Sequence, residues 1–264
     1  MASTSAPALP HPRELEAPRA WRAIDFISDL HLQASHPLTL AAFAAHLRHT
    51  DADAVFLLGD VFEAWVGDDA RHGGSERAVT EVLQAASARL SLAFMAGNRD
   101  FLLGAEMLRD CGMLALSDPT VLLAFGERVL LTHGDALCLD DADYQRFRIE
   151  VRSADWQVRF LALPVAERRA LAARMRDASR QHQRDQQSAA WSDIHAATAV
   201  QWMQAASTRQ MIHGHTHRPG SGELAPGFMR WVLTDWDADH EPHRASVLRL
   251  SRRGLERRAP ARAA

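Results

Sequence analysis

The chain has 264 residues, of which 47% are hydrophobic and 24% charged, and its formal net charge is −3. This length suits one large α/β domain with an insertion, and the composition is that of an ordinary soluble globular protein. The two cysteines, Cys111 and Cys138, lack a CxxC or other zinc-type spacing, which argues against a disulfide framework and a cysteine-based metal site.

The first residues are rich in Ala, Pro and Ser and lack the continuous apolar segment of a secretory signal. Residues 1–20 are therefore predicted to form a disordered tail of a cytoplasmic protein. No stretch approaches the ~18 apolar residues that a membrane-spanning helix requires, so any contact with a membrane is expected to be peripheral.

Strands and helices then alternate along the chain. Apolar residues 23–27, 55–58 and 92–95 predict strands, and the apolar spacing across 40–47 and 79–86 predicts amphipathic helices between them. This βαβα alternation predicts a largely parallel core sheet.

The middle of the chain combines a hairpin with a long helical segment. Residues 121–125 and 129–132 flank Gly126-Glu127 and predict the hairpin, whereas residues 211–212 predict a later strand. Residues 143–208 contain a single proline, no glycine and many Ala, Arg, Gln and Leu residues, which predicts a helical insertion. We expect this insertion to act as a cap over the substrate.

The C-terminal part is rich in arginine. Residues 231–233 and 246–250 are predicted to be strands, antiparallel to their neighbours, that close a second layer, and residues 251–264 are predicted to form a basic tail. The arginines of this part are Arg244, Arg249, Arg252, Arg253, Arg257, Arg258 and Arg262, and a second arginine-rich stretch spans 146–184. They indicate either a solvated surface or attraction to anionic lipid headgroups. Nucleic acid is not expected as a partner, because no basic motif is interleaved with aromatic residues.

Five short polar motifs follow the predicted strands. They are Asp29-Leu30-His31, Gly59-Asp60, Gly97-Asn98-Arg99-Asp100, Thr132-His133-Gly134-Asp135 and His213-Gly214-His215-Thr216-His217. Because ligands bind beyond the carboxyl ends of strands in open α/β sheets, these residues are expected to converge on one cleft. Asp, Asn and His side chains suit manganese, zinc or iron and argue against calcium. The ordered set predicts a phosphoesterase in which two cations, roughly 3.5 to 4 Å apart, clamp the phosphoryl oxygens and supply a hydroxide.

In this order the five motifs resemble the calcineurin-like metallophosphoesterase family. The resemblance implies an αββα four-layer sandwich over residues 21–250, with 143–208 as a helical cap insertion. It also implies one metal held by Asp29, His31 and His217, a second held by Asn98, His133 and His215, and Asp60 as the bridge between them. His213 matches no ligand of that pattern and is interpreted as a packing or orienting imidazole, and Asp135 is expected to orient His133.

Arg99 departs from the broad family, in which most members have histidine at this position. Residues 97–102 instead resemble the UDP-2,3-diacylglucosamine hydrolases of lipid A biosynthesis, as do residues 59–69, 133–145 and 213–219. This narrower resemblance spans about 23–249. It implies a pyrophosphatase with two Mn²⁺ ions that attacks the α-phosphorus through a metal-bridged hydroxide, giving UMP and 2,3-diacylglucosamine 1-phosphate. It also implies peripheral docking on anionic lipids at the cytoplasmic face of the inner membrane.

The same resemblance assigns roles to individual residues. Asp60, Asn98 and Arg99 are implied to be catalytic, and the implied substrate contacts are Asn98, Arg99, Asp141, Ser179 and His215. Acyl chains are expected to lie in the cap over 162–202. This chain has residues 183–187 as Gln-Arg-Asp-Gln-Gln, where related sequences have asparagine and lysine, so Arg180 or Arg184 is the candidate replacement for the lysine.

Alternative interpretations remain open at this point. Arg99 suits bidentate phosphate binding, but it could equally form an ion pair with Asp100 or a neighbouring acid. Another hydrolase of this fold, acting on nucleotides or phosphodiesters, would need no apolar cap. A noncatalytic scaffold would need no complete set of metal ligands, so the retention of all seven argues against it.

Overall fold

A computed structural model describes residues 12–185 and 193–263, with the backbone alone for residues 178–185. The strands in these residues are β1 Arg13–Glu16, β2 Ala23–Ile27, β3 Ala54–Leu58, β4 Ser91–Met95, β5 Met113–Leu116, β6 Thr120–Ala124, β7 Glu127–Leu131, β8 Gln210–His213, β9 Gly220–Ala225, β10 Phe228–Val232, β11 Val247–Ser251 and β12 Gly254–Arg258. The α-helices are α1 Pro37–His49, α2 Gly74–Ser87, α3 Ala105–Asp110, α4 Ala142–Val151, α5 Ala154–Leu161, α6 Val165–Asp185 and α7 Ala196–Ala205.

Sheet I has the strand order β12-β11-β2-β3-β4-β5, and β2 to β5 run parallel to one another. Every residue of β2 and β3 is buried, and all but one are apolar. Continuous apolar strands of this kind are typical of parallel sheets that are covered on both faces. The predicted parallel core is therefore confirmed.

Sheet II has the strand order β1-β6-β7-β8-β10-β9. The predicted hairpin is present as the antiparallel pair β6 and β7, and β7 continues into a parallel pairing with β8. Parallel neighbours end at the same edge of a sheet, so the loops after β7 and β8 emerge side by side.

The two sheets pack face to face and helices cover both outer surfaces. Residues such as Phe26, Phe56 and Leu131 fill the layer between the sheets. Helices α1 to α3 contribute to the core on the outer face of sheet I, and α7 packs on the outer face of sheet II. This confirms the αββα four-layer architecture.

Both predicted tails contain strands. In β1 the segment Arg13–Glu16 pairs with β6, and Leu15 packs into the layer between the sheets. In β12 the segment Gly254–Arg258 pairs with β11, and Leu255 packs into the same layer. The prediction of tails is wrong for these segments, because one apolar side chain on an otherwise charged edge strand leaves no clear alternating pattern. Residues 1–11 lie outside the described part of the chain.

Two further predictions need correction. The predicted cap range 143–208 includes α7, but Ala199, Trp202 and Met203 of this helix are buried against sheet II. The predicted cap is therefore restricted to α4, α5 and α6, and the buried Trp202 offers no surface to acyl chains. Strand β10 was expected to be antiparallel, but it pairs parallel with β8 and antiparallel only with β9, while β11 joins sheet I rather than a second layer.

Several C-terminal arginines are held in internal contacts rather than solvated. Arg249 is buried and donates to both carboxylate oxygens of Asp25, at 2.6 and 2.9 Å, and to Thr50 Oγ1 at 2.9 Å. Burial alone would raise the pKa of Asp25, but hydrogen bonds from His46 and Arg249 lower it to about 2. Arg249 is therefore a structural residue and not part of a lipid-binding surface.

Replacing Arg249 with Met is expected to lower the free energy of unfolding at pH 7 by about 3–5 kcal/mol, because the Asp25 carboxylate stays buried without its main donor. The stabilisation of Asp25 is present above its unfolded pKa of about 3.9 and is lost as pH falls towards about 2. The difference in the free energy of unfolding between wild type and variant should thus shrink as the pH falls through this range. Urea unfolding at pH 7 and pH 3 measures it, with Arg253→Met as the exposed control; an equal loss in both variants would contradict the prediction.

Candidate metal centre

All seven predicted metal ligands meet at one edge of the sandwich. Each lies just after the carboxyl end of a strand: Asp29 and His31 after β2, Asp60 after β3, Asn98 after β4, His133 after β7, and His215 and His217 after β8. The potential ligand atoms of Asp29, His31 and His217 lie within 4.8 Å of one another, and so do those of Asp29, Asp60 and His133.

The backbone turns sharply at these positions. Five of the seven predicted ligands have positive φ angles, which are 54° at Asp29, 47° at His31, 55° at Asp60, 64° at His215 and 51° at His217. Left-handed backbone is uncommon outside glycine, and it concentrates at sites where the surroundings enforce it. Here it ends each strand abruptly and directs the side chain back over the sheet edge.

Two glycines let the loops cross closely. A Cβ atom at Gly97 would overlap the Asp60 carboxylate, and a Cβ atom at Gly214 would overlap the carboxylate of Asp29. The glycine that precedes Asn98 and the one that precedes His215 are thus required by the carboxylate of a predicted ligand from a different loop.

The ligands form two groups on either side of Asp60. In the first, His31 Nε2 lies 3.2 Å from His217 Nε2, which lies 3.5 Å from Asp29 Oδ1. In the second, Asn98 Oδ1 lies 3.1 Å from His133 Nε2 and 2.9 Å from His215 Nδ1. These groups match the two predicted ligand triplets, whose assignment to separate metals stays a prediction.

The donor chemistry fits bound cations. His133 Nδ1 lies 2.9 Å from the Leu58 carbonyl oxygen, and donation to that acceptor leaves a lone pair on Nε2, which faces Asn98 Oδ1. That lone pair would face an acceptor oxygen, so either a proton or a bound cation must lie between or beside the two atoms. In the other group the Nε2 atoms of His31 and His217 also face each other, and a cation bound there would replace the proton that otherwise joins them.

Protonation equilibria lead to the same conclusion. Burial lowers the pKa of His215 to about 3 and that of His31 well below its usual value, so both imidazoles are neutral and able to ligate. Burial opposes protonation of His133 as well, but the carboxylates of Asp60, Asp135 and Asp29 together raise its pKa to about 9. This concentration of negative charge is what a divalent cation would neutralise.

Asp100 connects two of the motif loops. Its carboxylate accepts from the backbone N–H groups of Gly97 and Val61, each at 2.8 Å, and from that of Asp60 at 3.2 Å. Burial and the neighbouring Asp60 charge raise its pKa to about 7. Asp100 therefore fixes the backbone beside Asp60 and Asn98.

Arg99 pairs with acids other than Asp100. Its backbone N–H donates to Asp60 Oδ1 at 2.9 Å, its Nε lies 3.5 Å from Asp60 Oδ2, and its Nη1 donates to Glu63 Oε2 at 2.8 Å. The side chain is 27% exposed, so the guanidinium is held next to Asp60 while remaining open to solvent.

Asp135 binds residues of the predicted cap and does not bind His133. Its Oδ2 accepts from Tyr144 Oη at 2.9 Å, Arg148 Nε at 2.8 Å and Arg152 Nη2 at 3.2 Å, and among the described contacts no hydrogen bond joins it to His133. The expectation that Asp135 orients His133 is thus wrong, although its charge contributes to the raised pKa of that imidazole. Tyr144 and Arg148 lie on α4, and Arg152 directly follows its last residue, so the loop of Asp135 is tied to both ends of this helix.

The predicted substrate contacts Asp141 and His215 lie close to each other near the ends of α4 and β8. The Asp141 side chain caps α4 by accepting from Tyr144 N–H at 2.9 Å, and the Tyr144 ring stacks on His215 with 5.9 Å between ring centroids. His213 is fully buried, with Nδ1 2.9 Å from the Gly214 carbonyl oxygen, and burial lowers its pKa to about 4. Ser179 lies on α6, but its side chain, like those of Arg180 and Arg184, falls outside the described part.

The sequence analysis missed the residues that seat the cap. Arg168 of α6 is buried and pairs with Asp69, and Arg176 of the same helix pairs with Glu63. Arg152, the residue that follows α4, donates to the Gly97 carbonyl oxygen at 2.9 Å. The only sequence signal was the long specific block 59–69, which contains both acidic partners.

Comparisons with known proteins identify the family of this chain. A sequence model described as calcineurin-like phosphoesterase matches residues 23–219. A protein of Bordetella parapertussis named UDP-2,3-diacylglucosamine hydrolase is 39% identical over 237 residues, which cover 87% of this chain and 92% of that protein. A protein of the same name from Escherichia coli O17:K52:H18 is 41% identical over 220 residues, covering 81% and 91%. Among solved structures, an archaeal phosphodiesterase has a TM-score of 0.45 at 12% identity and covers 89% of this chain and 97% of that one.

Proposed function

Because the chain belongs to the calcineurin-like phosphoesterase family, we propose that it is an enzyme that hydrolyses UDP-2,3-diacylglucosamine in lipid A biosynthesis. Water adds to the α-phosphorus, and the bond from this phosphorus to the oxygen that bridges the two phosphates breaks. The products are UMP and 2,3-diacylglucosamine 1-phosphate, which keeps the bridging oxygen. The observation that carries the proposal is the convergence of seven metal-ligand side chains and Arg99 beneath a helical cap.

The family implies divalent metal ions, and the donor set described above fits them. We propose two Mn²⁺ ions, with Asp29, His31 and His217 holding one, and Asn98, His133 and His215 holding the other, bridged by Asp60. When bound, such ions polarise phosphoryl oxygens and lower the pKa of water so that hydroxide is available near neutral pH.

The protein contributes position and charge around the reacting phosphorus. Arg99, held between Asp60 and Glu63, is suited to donate to phosphoryl oxygens and stabilise the negative charge that develops on them. The Asp100 carboxylate accepts hydrogen bonds from the backbone of both the Asp60 loop and the Asn98 loop, and so holds the two loops together. Asp141 and His215, on either side of Tyr144, are proposed to contact the substrate.

The cap offers apolar surface for the acyl chains. On α5, the half-buried Trp156 is supported by the buried Phe160, with 4.7 Å between ring centroids, and Trp156 lies 6.1 Å from the half-buried Phe101, two residues after Arg99. Leu171 of α6 packs against the same core. We propose that this apolar surface holds the chains while the pyrophosphate lies at the metal-ligand cluster.

The cap also carries an apolar outer surface. Among the described residues, the exposed large apolar side chains are Leu38, Leu114, Phe147, Ile149, Val158 and Leu161, and the last four lie on α4 and α5. In the described part, none of the helices is both long and apolar enough to cross a membrane. We propose that α4 and α5 dock peripherally on the anionic lipid surface that contains the substrate, at the cytoplasmic face of the inner membrane.

Replacing Ile149 and Val158 together with Glu is expected to weaken binding to vesicles of phosphatidylethanolamine and phosphatidylglycerol by at least about tenfold. Their exposed fractions are 70% and 69%, so the change removes apolar area and adds charge at the contact. Vesicle co-sedimentation measures it. Leu114→Glu on β5 is the matched control, and hydrolysis of bis(p-nitrophenyl) phosphate in solution should be unchanged in both variants. Equal vesicle binding by wild type and the double variant would contradict the proposed docking surface.

The enzymatic proposal is tested by UMP release from UDP-2,3-diacylglucosamine in mixed micelles, with Mn²⁺ and after chelation, beside bis(p-nitrophenyl) phosphate. Strong UMP release that is lost on chelation and restored by Mn²⁺ is expected. Hydrolysis of the small diester without UMP release would keep the metallophosphoesterase chemistry and overturn the proposed substrate.

A further inference from the structure

Glu63 lies three residues after Asp60 and is not one of the predicted metal ligands. Its backbone N–H donates to the Leu32 carbonyl oxygen at 3.1 Å, which fixes this position beside the loop of His31. The side chain is only 15% exposed. A largely buried carboxylate needs partners, and those of Glu63 come from two distant parts of the chain.

The first partner is Arg99. Asp60 binds the backbone N–H of Arg99 and lies 3.5 Å from its Nε, whereas Glu63 binds the far end of the guanidinium through Nη1 at 2.8 Å. Two carboxylates at the two ends of the guanidinium restrict the rotamers of an otherwise flexible side chain. Arg99 is thereby placed before substrate arrives.

The second partner is Arg176 on cap helix α6. Its guanidinium pairs with Glu63 Oε1 and also donates to the Glu63 backbone carbonyl oxygen. Eight residues earlier on the same helix, Arg168 binds Asp69 and the Val66 carbonyl oxygen. Helix α6 is thus fastened to the loop that follows Asp60 at two points, near its first turn and at its middle.

We infer that Glu63 is a positioning residue that holds Arg99 in its reactive orientation and ties that orientation to the seating of cap helix α6. One carboxylate serves both arginines, so loss of the contact with Arg176 frees Glu63 and, with it, the end of Arg99. The inference rests on the proposed function for its lipid substrate, and hydrolysis of bis(p-nitrophenyl) phosphate tests it without that assumption.

The test compares Glu63→Gln with wild type on both substrates. A misplaced arginine is expected to lower kcat by about 10- to 100-fold, with KM changed by less than about threefold. Mn²⁺ affinity, measured by titration calorimetry, should stay within about threefold of wild type, because Glu63 acts through Arg99 and not through His31, whose Nδ1 is 3.7 Å away. Loss of Mn²⁺ affinity would overturn the inference.

Two comparisons complete the experiment. In an Arg99→Gln background, Glu63→Gln should cause no further loss, and additive losses would overturn the inference. Arg176→Met should lower kcat for the small diester in the same direction as Glu63→Gln, and an effect on the lipid substrate alone would overturn the link to the cap.

Glu76→Gln is the matched control, because it removes a different ion pair of α6, with Arg169 at 3.1 Å, and leaves Arg99 untouched. It should behave as wild type, and a loss equal to that of Glu63→Gln would overturn the inference. If Glu63→Gln does not fold, Glu63→Asp replaces it, since the shorter carboxylate cannot reach both arginines.

Discussion

Replacing Asp60 with Ala is expected to lower kcat by about 10³-fold or more for both UMP release and hydrolysis of bis(p-nitrophenyl) phosphate. Asp60 is 2% exposed, its carboxylate lies 3.8 Å from His133 Nε2, and it shares a group of potential ligand atoms with Asp29. The proposed bridge between two cations would be lost, and charge stabilisation by such ions is worth several kcal/mol. Steady-state kinetics in excess Mn²⁺ measure the effect.

The control for this experiment is Asp143→Ala, an aspartate on α4 whose side chain is 64% exposed and pairs only locally with Arg146. It should retain wild-type kcat on the small diester. Bound manganese, measured after gel filtration, should fall below the wild-type stoichiometry in the Asp60 variant alone. Turnover within tenfold of wild type in that variant would contradict the bridging role.

Replacing Arg99 with Gln is expected to lower kcat/KM for UMP release by about 10²-fold or more, the size of effect seen when one preorganised donor to a developing oxyanion is removed. The loss should appear in both kcat and KM, because arginine binds phosphate in the ground state and more strongly as charge develops. Bound Mn²⁺ should be unchanged, since Arg99 is not one of the predicted ligands.

Arg99→Lys separates charge from geometry. Lysine keeps a positive charge but lacks the planar fork that contacts two oxygens at once, so it should recover only part of the loss. Full recovery would show that a point charge is enough, and no loss in Arg99→Gln would contradict the catalytic role of Arg99.

Much of the architecture follows from local pattern. Strands β2, β3 and β4 are mostly apolar runs, and turn residues or helices with clear periodicity separate them. The type of these elements and their order along the chain were therefore predictable. The charged edge strands β1 and β12 were not, because each is held by backbone pairing and one apolar contact rather than by a pattern. The parallel direction of β10 relative to β8 depends on the path of the chain between these two strands, and no local sequence feature specifies that path.

The convergence of the predicted metal ligands was predictable for a different reason. Asp29, Asp60 and His133 each directly follow a recognisable strand, so topology alone brings them together. Glu63 and Arg176 are 113 residues apart, and their pairing depends on the packing of α6, which periodicity does not specify. For Arg249 the arginine-rich composition was misleading, because composition cannot distinguish a solvated arginine from one buried against Asp25.

The left-handed turns at five of the predicted ligand positions limit which side chains could replace the present ones. At φ angles near 50°, β-branched residues clash with their own backbone, whereas Asn, Asp and His are tolerated. Attempts to alter metal preference at Asp29, His31 or His217 are therefore best confined to exchanges among these three residue types. A designer who introduced threonine there would disturb the loop before changing the chemistry of the ion.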